Sequence, residues 1–294
     1  MKKILLTGPD SFVGKHLIPS LISHDYELFV LGRNVDYTSY GNKYRYDLPR
    51  LNGDLADNSL FEKITFKPSV IINLAASRDN SMLSLEQSYS SNVIAVENLL
   101  KYAKKIGCEK FIHLSSISIH GNFKEGTLDE STGIYNPGVY GYTKGLGEQH
   151  VTSASTDLKT FSIRLPAIIG KGAKDHWLAK TLNFALNNEP IYFDNPNSQF
   201  NNVVHVDDLA KFIVKLINFE DVPSCAFPIA SKNPVSIGSI IKKILDTTKS
   251  SSIIHSRLVS RPTFIIDDSF ARIKLSYESL DTLDAISRYV RESL

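Results

Sequence analysis

The sequence predicts an α/β fold built on a parallel, doubly wound sheet, together with a smaller α/β lobe. Apolar runs of strand length alternate with stretches of helical period through the first two thirds of the chain. Runs such as Val70-Ile71-Ile72-Asn73-Leu74 are apolar except for Asn73 and do not alternate, which is typical of strands that are covered on both faces. Strands that alternate with helices in this way form a parallel sheet with helices on either side.

The order of the predicted elements separates a regular first part from a looser second part. Apolar runs predict strands over residues 3–7, 28–31, 70–75, 110–115 and 160–165, and helical periodicity predicts helices over 13–23, 83–106 and 139–153. After about residue 166 we expect short strands over 191–193, 203–206 and 252–255, with helices over 208–219 and 237–248. This order predicts one domain over residues 1–165 and a smaller lobe over 166–294, with 203–219 returning to the first domain.

The composition is that of an ordinary globular protein and argues against several function classes. With 42% hydrophobic and 22% charged residues, the 294-residue chain can bury a full core. A net charge of +2, without a basic run interleaved with aromatics, provides no broad field for binding nucleic acid. No apolar stretch reaches about 18 residues, and the first apolar run is too short for a signal peptide. We therefore expect no membrane partner and a cytoplasmic location.

The cysteines and histidines do not indicate a metal site. Cys108 and Cys225 lie far apart without C-x-x-C spacing, so neither a disulfide framework nor a zinc site is predicted. Four histidines without ligand spacing are interpreted as structural: His113, His120, His205 and His255.

A turn near the N-terminus has the layout of a phosphate-binding site. Gly8, Ser11 and Gly14 follow the first strand at three-residue intervals and precede a helix. In a Rossmann-type fold this arrangement lets backbone N–H groups and a helix N-terminus face a pyrophosphate. Ser11 stands where a glycine would normally allow the closest approach, so its hydroxyl either contacts the phosphate or holds it slightly away. The alternative is a glycine-rich strand–helix turn without a ligand.

The end of the second strand bears on the choice of cofactor. An acidic residue there binds the ribose hydroxyls of NAD, whereas an arginine accepts the 2′-phosphate of NADP. The sequence reads Val30-Leu31-Gly32-Arg33-Asn34, with an arginine and no acid. It therefore favours NADP, with NAD as the other possibility. A surface Arg33 without any cofactor contact is the alternative.

Tyr140 and Lys144 are the candidate chemical groups of the third predicted helix. Residues four apart lie on the same helix face, so the lysine ammonium can lower the pKa of the phenol from its ordinary value of about 10. Such a phenol serves as an acid or base for an alcohol or ketone near neutral pH. A solvated helix face is the alternative. Tyr142 is only two residues from Lys144 and faces elsewhere, so we assign it to packing or a subunit contact.

Further motifs follow in order along the chain. They are Gly53-Asp54-Leu55, Asn73-Leu74-Ala75-Ala76, Asn92-Val93, the serine stretch over residues 114–121, Pro137 with Tyr140, Lys144 and Glu148, Arg164-Leu165-Pro166, the stretch over residues 204–210, and Arg261-Pro262. Together with the glycine turn they resemble the extended short-chain dehydrogenase/reductase family. The likeness is greatest to its branch of nucleotide-sugar epimerases, dehydratases and ketoreductases, and it extends through most of the chain.

The resemblance implies a set of site residues. The implied catalytic residues are Ser116, Tyr140, Lys144 and the supporting Asn92. The implied cofactor-binding residues are Gly8, Ser11, Phe12, Val13, Gly14, Arg33, Asp54, Leu55, Leu74, Ala75, Ala76, Tyr140, Lys144, Leu165 and Pro166. The implied substrate-binding residues are Ser116, Ser118, Arg261 and Asn201, where Asn201 falls at a place at which the family often has a diphosphate-binding arginine. Ser115 and Ser118 are alternative hydroxyls to Ser116.

Departures from the family pattern help to separate three reactions. A 4,6-dehydratase usually has an Asp-Glu pair directly after the catalytic hydroxyl, and Ile117 and Ser118 stand there, which argues against elimination. A 4-epimerase with tightly bound NAD would normally have the acid that is missing beside Arg33. Our leading expectation is therefore NADPH-dependent reduction of a nucleotide-linked 4-keto-6-deoxy sugar for surface polysaccharide synthesis. The alternatives are a nucleotide-sugar 4-epimerase and a non-catalytic dinucleotide sensor. The resemblance also implies a homodimer formed through helices 83–106 and 139–153.

Overall fold

The protein is described by a computed structural model over residues 1–33, 48–77, 84–124, 126–174, 176–220, 222–260 and 263–294. Two compact units are present. The first comprises Met1–Asn122, Gly133–Arg164 and Ala210–Phe227, and the second comprises Phe123–Thr132, Leu165–Leu209 and Pro228–Leu294. The sequence pattern assigned 123–132 to the first domain, but this segment belongs to the second unit because its strand pairs with residues 264–266.

The described secondary structure alternates between strands and helices. The strands are β1 Lys3–Thr7, β2 Glu27–Gly32, β3 Arg50–Asn52, β4 Val70–Asn73, β5 Lys110–Ser116, β6 Gly126–Leu128, β7 Lys159–Leu165, β8 Ala167–Ile169, β9 Ile191–Asp194, β10 Gln199–Phe200, β11 Val203–His205, β12 Cys225–Pro228, β13 Val235–Ser236, β14 Ile254–Arg257 and β15 Phe264–Ile266. The α-helices are α1 Phe12–Ser23, α2 Leu85–Tyr89, α3 Ala95–Ile106, α4 Val139–Ser153, α5 Trp177–Leu186, α6 Val206–Ile217, α7 Ile237–Thr248, α8 Ser269–Leu275 and α9 Thr282–Ser293.

A seven-stranded sheet lies in the first unit. Only Leu165, the last residue of β7, and Pro228, the last residue of β12, are assigned to the second unit. The strand order is β12-β7-β5-β4-β1-β2-β3, and the pairs from β5 through β4, β1 and β2 to β3 are parallel. This order is that of a doubly wound dinucleotide-binding sheet. The predicted Rossmann-type fold class is confirmed.

Continuous burial explains why the central strands are rich in apolar residues. Every residue of β4 and β5 is buried, and in β1 the residues Ile4, Leu5 and Leu6 are fully inaccessible. The β4 strand ends at Asn73 and not at the predicted Ala75. The reason is that the N–H of Ala75 turns to the side chain of Thr7, at 3.3 Å from its Oγ1, instead of continuing the ladder.

The helix predicted over residues 83–106 contains an irregular turn. After α2, a π-helical turn over Ser90–Ile94 leads directly into α3, which ends at the left-handed Gly107. Leu83, the first residue of the predicted helix, lies outside the described residues. Such turns reposition side chains and recur at functional sites. Asn92 lies at the centre of this turn.

The second unit consists of short strands and helices around its own core. Its parallel pairs are β8 with β11, β9 with β14 and β6 with β15, and β10 pairs with β13 in the antiparallel sense. The core includes Leu178 of α5, Ile240, Ile241 and Ile244 of α7, and Ile286 of α9. The sequence pattern predicted neither α5, α8 nor α9. It also extended the strand at 203–205 to Val206, which instead begins α6, where Asp207 and Asp208 favour a helix N-terminus.

Candidate active site

The glycine turn between β1 and α1 has the backbone geometry of an anion site. Gly8 adopts a left-handed conformation with φ +65°, which favours glycine. A Cβ on Gly14 would lie 2.4 Å from the carbonyl oxygen of Pro9, so only glycine lets the helix pack this closely against the turn. Phe12 and Val13 occupy the first helical turn, whose N–H groups have no acceptor within the helix. These amides are available to an anion.

Ser11 is the N-cap of α1. Its Oγ accepts the N–H of Gly14 at 3.0 Å, and its backbone N–H donates to the carbonyl of Gly8 at 3.1 Å. A serine Oγ that accepts one hydrogen bond still has its own proton to donate. Ser11 therefore stabilises the helix start and can also donate to an anion at the turn.

A cavity of about 270 Å³ opens beside the glycine turn, entirely within the first unit. Eight of the fifteen residues predicted to bind a cofactor line it: Gly8, Ser11, Arg33, Asp54, Leu55, Leu74, Ala75 and Ala76. They follow β1, β2, β3 and β4, so the cavity lies at the carboxyl ends of these strands, where doubly wound folds bind their ligands. The remaining lining residues include Pro9, Asp10 and Gly32.

Two of the charged residues that line this cavity are exposed. Arg33, directly after β2, and Asp54, after β3, are both exposed. Asp54 accepts the N–H of Ala56 at 2.9 Å, which fixes its carboxylate beside the cavity. Leu165 and Pro166, also predicted to bind the cofactor, are buried residues of the second unit and are not among the lining residues.

The helix α4 carries the predicted tyrosine and lysine at its start. Tyr140 is half-buried, whereas Lys144, one turn later, is only 2% exposed. The Nζ of Lys144 donates to the carbonyl of Leu114 at 2.5 Å and lies 3.3 Å from the Nε2 of His113. Burial lowers the pKa of Lys144 to about 8, although the negative charge of Glu148 opposes this effect.

The predicted catalytic serine begins the turn that follows β5. Ser116 is buried, and its Oγ accepts the N–H of Ser118 at 3.1 Å, so its own proton remains to donate. The side chain of Ser118 is exposed. The Oγ of Ser115 is buried and has no hydrogen-bond partner among the described residues. A Cβ on Gly141 would lie 2.0 Å from the carbonyl oxygen of Ser118, so a glycine is required where α4 meets this turn.

Asn92 connects the segment after β4 to α4. Its Nδ2 donates to the Oγ of Ser77 at 2.9 Å and to the Oγ1 of Thr143 at 3.0 Å. Its Oδ1 accepts the N–H of Ser77 at 2.9 Å. Thr143 is the neighbour of Lys144, so Asn92 holds the predicted catalytic helix without lining the cavity beside the glycine turn.

Asn201 and Arg261 are the substrate-binding residues that the sequence predicts in the second unit. Asn201 is buried, its Nδ2 donates to the carbonyls of Ser231 and Ile266, and its Oδ1 accepts the N–H of Ile266. Both amide hydrogens are therefore used within this unit, which makes Asn201 a connector of β15 to its neighbours. Arg261, with Pro262, lies outside the described residues.

One cluster in the second unit has the composition of a metal site. The side-chain ligand atoms of His205, Asp207 and Glu292 all lie within 4.8 Å of one another. However, Arg288 pairs with both carboxylates. Burial, followed by the charge of Arg288, lowers the pKa of His205. The cluster is thus an ion-pair network that joins α6 to α9.

The sequence pattern missed the role of His113. The pattern gives His113 a structural role only, yet its Nε2 lies 3.3 Å from the Nζ of Lys144, a contact for which the sequence carries no local signal. Four aliphatic residues of the helix predicted over 83–106 are buried within the first unit: Val93, Val96, Leu99 and Leu100. Among the described residues, no helix is both long and apolar enough to cross a bilayer.

Three comparisons relate the chain to known proteins. A model described as the NAD dependent epimerase/dehydratase family matches residues 4–229. A putative UDP-glucose 4-epimerase of Methanocaldococcus jannaschii is 26% identical over 232 residues, which cover 74% of this chain and 74% of that protein. The Bordetella bronchiseptica enzyme WbmG, solved with NAD, has a TM-score of 0.83 at 17% identity, covering 99% of this chain and 93% of the other. UDP-glucuronic acid 4-epimerase of Bacillus cereus, also solved with NAD, has a TM-score of 0.82 at 20% identity, covering 99% and 98%.

Proposed function

The chain belongs to the NAD-dependent epimerase/dehydratase family, and from this membership we propose that it is a nucleotide-sugar 4-epimerase that retains NAD. This was the alternative in the sequence analysis, and the relatives favour it over the ketoreductase. Those relatives include a putative UDP-glucose 4-epimerase and a UDP-glucuronic acid 4-epimerase solved with NAD. Ile117 and Ser118, in place of an acidic pair after Ser116, argue against the dehydratases of the family.

The residues of the first unit fit a dinucleotide. The left-handed Gly8, the close packing at Gly14 and the first-turn amides of α1 suit a pyrophosphate. The cavity of about 270 Å³ is of a size for the adenosine half alone, with Asp54 beside it. A nicotinamide dinucleotide supplies hydride acceptance and return.

Three side chains of this chain would handle the proton. We assign the phenol of Tyr140 to remove the proton from the sugar 4-hydroxyl and to return it afterwards. The ammonium of Lys144 favours the ionised phenol by its charge. Ser116 has a free proton to donate to the same sugar oxygen as charge develops. Asn92 supports the helix that carries Tyr140 and Lys144 through Thr143.

The observation that carries the proposal is the burial of Lys144, one turn after Tyr140, in the unit that also holds the glycine turn. A solvated helix face, the alternative considered for this pair, would leave the lysine exposed. Lys144 is instead 2% exposed and donates a hydrogen bond at 2.5 Å to the carbonyl of Leu114. Burying an ammonium is costly, so a lysine in such a position is a functional candidate.

The test is retention of the cofactor combined with turnover. Purified protein is analysed by native mass spectrometry and then incubated with UDP-glucose, UDP-galactose and UDP-glucuronic acid without added cofactor. We expect the mass spectrum to show retained NAD. We also expect at least one sugar to be converted to its C4 epimer, which anion-exchange chromatography detects. Oxidation of added NADPH by a nucleotide 4-keto sugar, without any epimerisation, would refute the proposal and support the reductase.

The ketoreductase remains the second candidate because of one observation. Arg33 lines the dinucleotide cavity at the end of β2, where an acidic residue is expected for NAD. An arginine there suits the 2′-phosphate of NADP, and a reductase that uses NADPH once per turnover releases it afterwards. In the same mass spectrometry experiment, this candidate predicts an empty site that fills with NADPH.

We also propose a homodimer that involves α2 and α4. The exposed apolar residues on these helices are Leu85, Tyr89, Val139 and Tyr142, whereas the aliphatic residues of α3 serve the core. Size-exclusion chromatography with light scattering should give about twice the monomer mass, and Leu85→Glu with Tyr142→Glu should reduce it to the monomer. A wild-type protein that is monomeric at micromolar concentration would refute the dimer.

A further inference from the structure

Four buried polar side chains form a continuous series from the glycine turn to Lys144. The Oγ1 of Thr7 lies 2.6 Å from the Oδ1 of Asn73, the Nδ2 of Asn73 lies 3.1 Å from the Nδ1 of His113, and the Nε2 of His113 lies 3.3 Å from the Nζ of Lys144. Each of the four residues is at most 2% exposed. We call these four side chains the Thr7–Lys144 series.

One end of the series contacts a group that can only donate. The N–H of Ala75 points to the Oγ1 of Thr7 at 3.3 Å. With Thr7 accepting there, its hydroxyl proton is free for the Oδ1 of Asn73, and the Nδ2 of Asn73 then donates to the Nδ1 of His113. The proton of the neutral imidazole must in that case lie on Nε2, which faces Lys144. An N–H aimed at Lys144 requires a neutral amine, because an ammonium cannot accept a hydrogen bond.

The opposite direction suits a charged lysine. An ammonium at Lys144 donates to the Nε2 of His113, so the imidazole proton lies on Nδ1. The amide of Asn73 then turns over, so that its Oδ1 accepts from His113 and its Nδ2 donates to Thr7. The two lone pairs of the Thr7 hydroxyl then accept from Asn73 and Ala75, and its own proton rotates away from the series. The amide oxygen and nitrogen have nearly the same shape, so both directions use the same positions of the heavy atoms.

We propose that the charge on Lys144 is coupled to the direction of hydrogen bonding along the Thr7–Lys144 series, so that His113 is a positioning residue that decides where the amine lies and whether it carries a proton. The inference rests on the proposed function only where it assigns Lys144 to Tyr140 and to the dinucleotide. The coupling itself is a property of the protein without substrate.

The charges around Lys144 leave His113 as the neutral partner. On its own helix, Lys144 is near Tyr140 and Glu148, and the carboxylate of Glu148 is held by Arg164 of β7. From β5 it meets His113 and the carbonyl of Leu114. Burial, and then the charge of Lys144, lower the pKa of His113 well below its ordinary value. The imidazole is therefore neutral at physiological pH, and its tautomer is the variable that responds to Lys144.

The coupling also leaves the lysine one hydrogen for a ligand. An ammonium has three N–H donors, and within the described residues two of them face Leu114 and His113. The third is available for a ribose hydroxyl or for Tyr140. The neutral amine still has one N–H left after Leu114, because its lone pair accepts from His113. Lys144 can therefore keep its position in both charge states.

The first test observes the tautomer directly in the unliganded protein. Protein labelled with ¹⁵N-histidine is studied by long-range ¹H–¹⁵N correlation between pH 6.5 and 9.5, and His113 is assigned as the signal missing from His113→Phe. We expect its proton on Nδ1 at low pH and on Nε2 at high pH, with a midpoint near the pKa of Lys144, which is about 8. In Lys144→Met the tautomer should not change with pH. A single tautomer of His113 over the whole range in the wild type refutes the coupling, whatever reaction the protein catalyses.

The second test uses variants with opposite expected shifts. Asn73→Asp places a carboxylate at the Nδ1–H of His113, which favours the charged lysine. The pH at which half of the dinucleotide affinity is lost should therefore rise by about one unit. His113→Phe removes the acceptor and should lower it by about one unit. His113→Gln, which supplies an amide oxygen as an acceptor for Lys144, should restore most of the affinity lost in His113→Phe. A merely structural role would weaken binding at all pH values with no shift of the midpoint, and that result overturns the assignment.

Discussion

The carboxylate of Glu148 accepts hydrogen bonds from both the Nε and the Nη2 of Arg164, at 3.1 and 2.8 Å, one turn beyond Lys144 on α4. Glu148 is 6% exposed, and its charge raises the pKa of Lys144 against the effect of burial. The pair therefore has two effects, because it connects α4 to β7 and supports the ammonium that the proposed chemistry needs.

Glu148→Gln should accordingly weaken both stability and activity. Losing one partner of a buried ion pair costs about 3 kcal/mol of unfolding free energy, measured by urea denaturation. The pKa of Lys144 should fall, so activity near pH 7 should fall as well. The matched control is Glu97→Gln, which breaks an exposed pair with Lys101 on α3 and should cost about 0.5 kcal/mol or less. Equal losses in the two variants would contradict this role of Glu148.

Tyr140→Phe tests whether the protein is an enzyme or a dinucleotide sensor. Loss of a general acid and base lowers kcat by about 10²- to 10⁴-fold, whereas dinucleotide affinity should change little because the cavity beside the glycine turn is unaltered. Tyr142→Phe, an exposed neighbour on the same helix, should retain its kcat. If Tyr140→Phe kept full turnover, or if no turnover existed to lose, the sensor would be favoured.

Gly141→Ala tests the contact between α4 and the serine turn. The new Cβ would lie 2.0 Å from the carbonyl oxygen of Ser118, so the helix must move away from Ser116. We expect a loss of about 2 kcal/mol in stability and at least a tenfold lower kcat. At Gly145, one turn later, an added Cβ would meet Ile119 at 3.8 Å, an ordinary contact. Gly145→Ala should therefore be neutral or slightly stabilising, and a similar defect in both variants would argue against the close approach.

The sequence predicted those elements whose own residues form an apolar run, a helical period or a turn motif. The strand β4 is apolar up to Asn73 because both of its faces are covered, and the turn from Gly8 to Gly14 requires glycine at its two ends. Strands of two or three residues, such as β10 and β13, are too short to show a period. The contact between His113 and Lys144 joins residues 31 apart in sequence, and it depends on how α4 packs against β5. No local pattern contains that information.

Arg33→Ala tests the choice of cofactor. If the guanidinium binds a 2′-phosphate, NADP affinity should fall about tenfold or more, while NAD affinity should remain within about twofold. Isothermal titration with both dinucleotides measures this after removal of any retained cofactor. Arg50→Ala is the control, because this exposed arginine of β3 is not among the residues that line the cavity. An unchanged NADP affinity in Arg33→Ala would remove the main argument for the ketoreductase.

Lys144→Met tests how much stability the protein loses by burying the ammonium of Lys144. The pKa of Lys144 is about 8 in the folded protein against an ordinary 10.5, so between these values the unfolded chain binds more protons and wild-type stability rises with pH. Below pH 8 the full cost is present, on the order of 3 kcal/mol, partly offset by the hydrogen bond to Leu114. We therefore expect Lys144→Met to be about 1–2 kcal/mol more stable than the wild type at pH 7, with the gain lost near pH 10.

Urea unfolding of both proteins at pH 7 and pH 10 measures this difference. Lys110, the first residue of β5, is buried with its Nζ at the carbonyls that end α6. Burial lowers its pKa to about 8 as well, so the wild-type slope alone does not isolate Lys144. Subtracting the two proteins removes the contribution of Lys110, since that residue is unchanged. Lys101→Met, at an exposed site on α3, should show no pH-dependent difference. If Lys144→Met differs from the wild type by the same free energy of unfolding at both pH values, the folded protein does not depress the pKa of Lys144. The charge-coupled role of His113 would then lose its energetic basis.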